Sequence, residues 1–116
     1  MSLSEKVREL NDLVAAGQLV EGIERFYADD VTMSESNEQS MIGKEANRTR
    51  EQAFQSGLTQ WDARLLSSAV DDVNGTALNQ WSIDFAHNEY GSGTLRQVAV
   101  QQWRDGRIVS ESFYKF

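Results

Sequence analysis

Apolar side chains in the first third of the chain recur every three or four positions. Leu3, Val7, Leu10 and Val14 form one stripe, which predicts a helix from about Ser4 to Ala16. Ser2 followed by Glu5 has the form of a capping box, and Gly17 supplies a left-handed stop. Leu19, Ile23 and Phe26, with Val20 and Tyr27 beside them, predict a shorter second helix ending at the polar turn Ala28-Asp29-Asp30. Val31 to Glu35 reads as a short strand, and the polar stretch Ser36 to Ser40 as a surface loop. A third helix is expected from Gly43 to Ser56, with Ile42, Ala46 and Ala53 on one face, Phe54 alongside and Gly57 closing it.

From Leu58 the period changes to two, the mark of strands whose faces meet different surroundings. Trp61, Ala63 and Leu65 alternate in the first such strand. Ala77, Trp81, Ile83, Phe85 and His87 share one face of the next, against Gln80, Ser82 and Asp84. Asn74-Gly75 predicts a two-residue type I′ hairpin, because that turn needs positive φ at both central positions. Gly91 and Gly93 mark a looser turn. Asp105-Gly106 makes another tight hairpin between strands Leu95 to Arg104 and Ile108 to Phe116. The order helix, helix, strand, helix, then a four-strand meander predicts one α+β domain over residues 1–116. Three helices cannot cover both faces of such a sheet, so it should curl around them and leave a partly apolar cavity.

A chain of 116 residues can bury one core but hardly two, which supports the single domain. A formal net charge of −7 repels a phosphate backbone and argues against nucleic acid as a partner. Lys44, Arg48 and Arg50 interleave with Glu45 and Glu51 and read as a solvated helix face. With no Cys and one His, disulfides and thiolate chemistry are excluded and a zinc centre is not expected, nor any other cofactor. No apolar run approaches the length of about 20 residues needed to span a bilayer, and no charged-then-apolar export signal opens the chain. The expected location is cytoplasmic, with no membrane partner.

Three stretches carry a family likeness: Glu24 to Val31, Ile42 to Ala46, and Trp103 to Val109. Taken in order, with the right elements between them, they closely resemble the recurring segments of SnoaL-like domains in the nuclear-transport-factor-2-like superfamily. The resemblance covers nearly the whole chain. It implies a cone-like curved antiparallel sheet with three packed helices (a cystatin-like α+β barrel), a pocket against the concave face, and a homodimer formed through the sheet. The family includes polyketide cyclases, ketosteroid isomerases, dehydratases, epoxide hydrolases and non-catalytic binding modules, so fold alone does not settle function.

Carried over residue by residue, the resemblance places the isomerase base on or beside Glu35. The two oxyanion donors of the isomerases fall near Leu10 and Ala99, neither of which can donate a hydrogen bond. Steroid isomerisation is therefore not expected. The cyclase branch uses an acidic residue late in the sheet, and Glu111 is the only carboxylate of the last strand. Ile108, Ser110, Ser112, Tyr114 and Phe116 form one face of that strand and Val109, Glu111 and Phe113 the other; both carry apolar groups, which leaves the orientation of Glu111 open and suits a strand between a core and a dimer contact. His87 reads either as a solvated or hydrogen-bonded strand-end residue or as the acid/base partner of Glu35. Tyr27, Trp61, Trp81, Phe85, Trp103 and Tyr114 are the candidate lining of an apolar pocket, against the commoner role of sheet aromatics as core. Two functions follow: an acid/base enzyme (isomerase, cyclase or dehydratase type) acting on a small apolar molecule through Glu35, His87 and Glu111, or a ligand-binding or self-associating module without chemistry.

Overall fold

The computed structural model describes residues 1–35 and 39–116, so positions 36–38 of the expected loop lie outside the described residues. Among the described residues the elements run α1 (Leu3–Ala15), α2 (Leu19–Phe26), β1 (Tyr27–Glu35), β2 (Met41–Ile42), α3 (Lys44–Ser56), β3 (Leu58–Asp71), β4 (Thr76–His87), β5 (Gly91–Arg104) and β6 (Arg107–Lys115). The strands form one curved, open sheet of order β2-β1-β6-β5-β4-β3, with the helices packed against it. The meander β3 to β6 is antiparallel throughout, and β1 joins β6 in parallel.

Local chemistry explains the element ends. Ser2 Oγ accepts from the Glu5 amide at 3.1 Å while Glu5 Oε1 accepts from the Ser2 amide at 3.2 Å, so the capping box closes α1 as expected. The Asp105-Gly106 turn has φ of 52° and 78°, the double positive that a type I′ hairpin requires. Asn74-Gly75 does not form the expected two-residue turn. Asp71 pairs with Thr76, leaving four residues in the loop, and the Asp71 carboxylate accepts the Val73 and Asn74 amides at 3.0 and 3.2 Å. That side-chain cap holds the chain in a wider loop in which only Gly75 takes positive φ.

Two further expectations are corrected. The strand read as Val31 to Glu35 begins at Tyr27, and its pairing with β6 skips between Tyr27 and Thr32, so the acidic pair Asp29 and Asp30 sits on an exposed bow rather than in a turn. Of the expected α3 face Ile42, Ala46 and Ala53, only Ala53 borders the interior, beside Phe54, while Ala46 is exposed. Ile42 belongs to β2 and is 69% exposed, whereas Asn47 is fully buried and donates from Nδ2 to the Met41 and Gly43 carbonyls at 3.2 and 2.8 Å. Those bonds pin the start of α3 to β2. Lys44 and Arg48 do lie on a solvated face, bonded to Glu24, but Arg50 turns inward.

The core fills one end of the space beneath the helices. Val7 and Leu10 of α1, Ile23 and Phe26 of α2, and Val31, Ala77, Trp103 and Ile108 of the sheet pack there, with Phe26 edge-on to Trp103. Trp81, Ile83 and Ala99 are equally buried but face the space that remains open. No helix among the described residues is long and apolar enough to cross a membrane.

A β-bulge decides what that space sees. Gln102 pairs with Ser110 and Trp103 with Ile108, so one residue of β5 is matched by two of β6 and Val109 is the extra one. Ile108 and Glu111, three positions apart, therefore both point inward, and Phe113 follows in phase.

Candidate functional site

The open space is a cavity of about 490 Å³ between α1, α3 and the concave face of β4, β5 and β6. Its wall is mostly hydrocarbon and aromatic, from Leu10, Val14, Phe54, Trp61, Trp81, Ile83, Phe85 and Phe113. Exposed Glu35, Glu89 and Tyr90 stand at its rim. Leu10 and Ala99, near which the family resemblance places the isomerase donors, line it as hydrocarbon.

At its floor lies Glu111, 3% exposed. Tyr27 donates its phenol hydrogen to Glu111 Oε1, and Gln101 Nε2 donates to Oε2 at 2.8 Å. Burial pushes the Glu111 carboxyl from 4.5 up to about 7, against the pull of those two hydrogen bonds; the Glu51 charge across the cavity pushes the same way and Arg50 opposes it. Burial likewise holds the Tyr27 phenol well above its ordinary range, with the Glu111 charge adding to it. Tyr27 thus stays a hydrogen-bond donor across the physiological range while Glu111 exchanges its proton near neutrality.

Glu111 is the end of a buried chain of amides. Gln101 Oε1 accepts from Trp103 Nε1 at 3.0 Å and from Asn79 Nδ2 at 3.4 Å. Asn79 Oδ1 accepts from Ser68 Oγ at 2.7 Å and from Asn11 Nδ2 at 2.8 Å. The chain crosses from α1 through β4 and β5 to β6. Asn11, Asn79 and Gln101 were not among the sequence candidates. Each interrupts an apolar phase: Asn11 beside Leu10 on the α1 stripe, Asn79 between Ala77 and Trp81, and Gln101 between Ala99 and Trp103. A polar residue on an inward phase is the signal that finds them.

Arg50 is the one cationic side chain in the lining among the described residues. Its Nη2 lies 3.7 Å from Glu51, whose carboxyl burial raises above the ordinary range. Glu35 lines the cavity near its opening, exposed, on the same strand phase as Met33. Among the described residues no group of three or more His, Asp or Glu side chains is arranged to hold a metal ion.

The other sequence candidates divide. Tyr27, Trp61, Trp81 and Phe85 line the cavity. Trp103 does not, because it packs in the core on Phe26 with its indole spent on Gln101. Tyr114 faces outward and is 50% exposed, since the Val109 bulge sets Phe113 inward. His87 is buried but outside the lining, and both its nitrogens are engaged: Nε2 lies 3.0 Å from the Phe54 carbonyl, and Nδ1 accepts the Glu89 and Tyr90 amides at 3.0 and 3.3 Å. Its ring packs against both Phe54 and Tyr90, which also approach each other at 6.3 Å between centroids. Gly57 is required beside it, because a Cβ there would collide with the imidazole. The acid/base pairing of His87 with Glu35 is thereby withdrawn; His87 ties α3 to the β4–β5 turn.

A family model for the SnoaL-like domain matches residues 7–111. Among solved structures, a Mesorhizobium loti protein assigned as a SnoaL-like polyketide cyclase superposes with a TM-score of 0.81 at 22% identity, over 98% of this chain and 99% of that one. An LEH-like epoxide hydrolase from M. tuberculosis gives 0.77 at 12% identity, over 97% and 80%. A nuclear-transport-factor-2-like protein of unknown function from Burkholderia pseudomallei gives 0.76 at 15%, over 100% and 92%. No curated protein matches the sequence.

Proposed function

Since the chain belongs to the SnoaL-like domain family, whose fold it shares from end to end, we propose that it is a cofactor-independent acid/base catalyst acting beside the carbonyl group of a small apolar molecule. One observation carries this reading: a carboxylate at the floor of an apolar cavity, oriented by two donors and poised to exchange a proton near pH 7. In its ionised form Glu111 takes a proton from the carbon next to the carbonyl. The Arg50 guanidinium supplies positive charge for the oxygen of the resulting enolate. Where a carbon–carbon double bond is conjugated with the enolate, Glu111 returns the proton to the far carbon of that system, which is isomerisation; where the enolate carbon instead attacks a second carbonyl, Glu111 returns the proton to the alkoxide so formed, which is cyclisation. Glu35, at the rim, screens the entrance in this scheme and does not act as the base.

The test uses a simple ketone that fits an apolar hollow. With 2-decalone in deuterium oxide, the wild type should accelerate exchange of the protons beside the carbonyl, followed by NMR, with a rate that rises through about pH 7 as Glu111 ionises. Glu111→Gln should lower that rate on the order of a thousandfold. Equal exchange by both proteins would remove Glu111 as the base.

A second reading concerns assembly and has its own observation. The outer sheet face presents Leu78, Val98, Val100 and Tyr114 in adjacent register, with Leu78 and Tyr114 43% and 50% exposed. We propose that this face joins two copies of the chain, as an apolar strip on an otherwise acidic protein favours. Light scattering at micromolar concentration should give the mass of a dimer, and Val100→Glu that of a monomer. A monomeric wild type would end this proposal.

A further inference from the structure

The sense of the amide chain is set from both ends. The Trp103 indole N–H can only donate, so the Gln101 atom facing it must be the carbonyl oxygen. Gln101 then presents its NH₂ to Glu111, which when ionised can only accept. The same choice propagates the other way. Asn79 must turn its NH₂ towards the Gln101 oxygen, so its own oxygen faces α1, and Asn11 must meet that oxygen with Nδ2. The remaining polar atom of Asn11, Oδ1, has no partner among the described residues. Asn11 is only 6% exposed and lines the cavity, so Oδ1 is the atom it has left to offer a bound molecule there. A buried amide oxygen held in this way cannot turn over to become a donor without breaking the chain behind it.

We infer that Asn11 Oδ1 is a specificity-determining acceptor of the cavity, selecting apolar ligands that carry a hydroxyl or N–H group over ligands of the same shape that carry none. Asn79 and Gln101 are positioning residues that hold it in that sense. The inference rests on the reading of the cavity as a ligand site and narrows its substrate class to a hydroxylated, or N–H-bearing, apolar carbonyl compound. A ligand without a donor leaves the Asn11 oxygen dry and unpaired, which is the arrangement that binding sites reject most strongly.

Two probes of one shape test it: 2-decalol, which has a hydroxyl, and its methyl ether, which lacks the donor. Neither absorbs where tryptophan does, and Trp61 and Trp81 line the cavity, so intrinsic fluorescence reports binding. The wild type should bind the alcohol about tenfold more tightly than the ether, the ratio that one net hydrogen bond gives. In Asn11→Leu the ratio should fall to about one while ether affinity is kept; Asn11→Met, with a more adaptable side chain, serves if the leucine variant does not fold. Equal binding of both probes by the wild type overturns the inference. So does a preference that survives in the Asn11 variants, or one lost only in Glu111→Gln, which would assign it to Glu111. Loss of the ratio with ketone exchange intact leaves the catalytic reading untouched, whereas failure of both probes to bind removes the ligand site altogether.

Discussion

Glu111→Gln should make the protein more stable at pH 8, by about 2 kcal/mol, while stopping the proposed proton exchange. The folded state holds the Glu111 proton up to about pH 7, and the unfolded chain releases it near 4.5. Between these values the unfolded state binds fewer protons, so stability falls as pH rises and levels off above 7. A displacement of that size corresponds to about 3 kcal/mol at roughly 1.4 kcal/mol per pH unit. Gln carries no charge to bury and escapes this cost. It cannot accept from both Tyr27 and Gln101, however, and the lost hydrogen bond takes back about 1 kcal/mol. Thermal unfolding should show the variant melting roughly 5–10 °C above the wild type at pH 8 and, with only the lost hydrogen bond remaining, roughly 3–5 °C below it at pH 4. A variant that melts lower at pH 8 would show that Glu111 is not held against ionisation, and the proposed base would lose its physical ground.

The second large effect is expected at Gln101. Replacing it with Leu keeps the volume but removes the acceptor of two buried donors, Trp103 Nε1–H and Asn79 Nδ2–H, and one of the two donors to Glu111. Each orphaned group costs on the order of 1–3 kcal/mol, so urea unfolding should show a loss of about 3 kcal/mol or more. The catalytic consequence has a definite direction. The Gln101 hydrogen bond lowers the Glu111 pKa, so its loss should move the midpoint of the exchange-rate profile above about pH 7. An unchanged unfolding midpoint, or a profile that stays in place, would show that the amide chain does not govern the carboxylate.

The fold was legible because its signals are local. The α1 stripe with its capping box and the Asp105-Gly106 hairpin act over a few residues, and the structure has them where the sequence puts them. The α3 face was misread at its first turn because Ala46 at the right spacing looks like core, while the group that enters there is Asn47, whose reason for burial is the β2 carbonyl it meets. The site was legible only in part. Asn79 and Gln101 occupy inward phases and could have been found by asking which polar residues break an apolar alternation. His87 could not be sorted this way. Its phase is inward, but its role depends on the Phe54 carbonyl and on two amides beyond the strand, contacts that no periodicity records.

Glu111 was undecidable for a different reason, and the reason reaches beyond this residue. With unbroken alternation from Ile108, the last strand would offer Ser110, Ser112 and Tyr114 to the hollow and turn the carboxylate to the outside. Val109 works like a shift of reading frame: one supernumerary residue exchanges a neutral hydroxyl lining for an acidic one without altering any side chain beyond it. A lineage carrying this strand can therefore bring this carboxylate inside or turn it out by gaining or dropping a single codon, and two chains of nearly the same sequence can have unlike interiors.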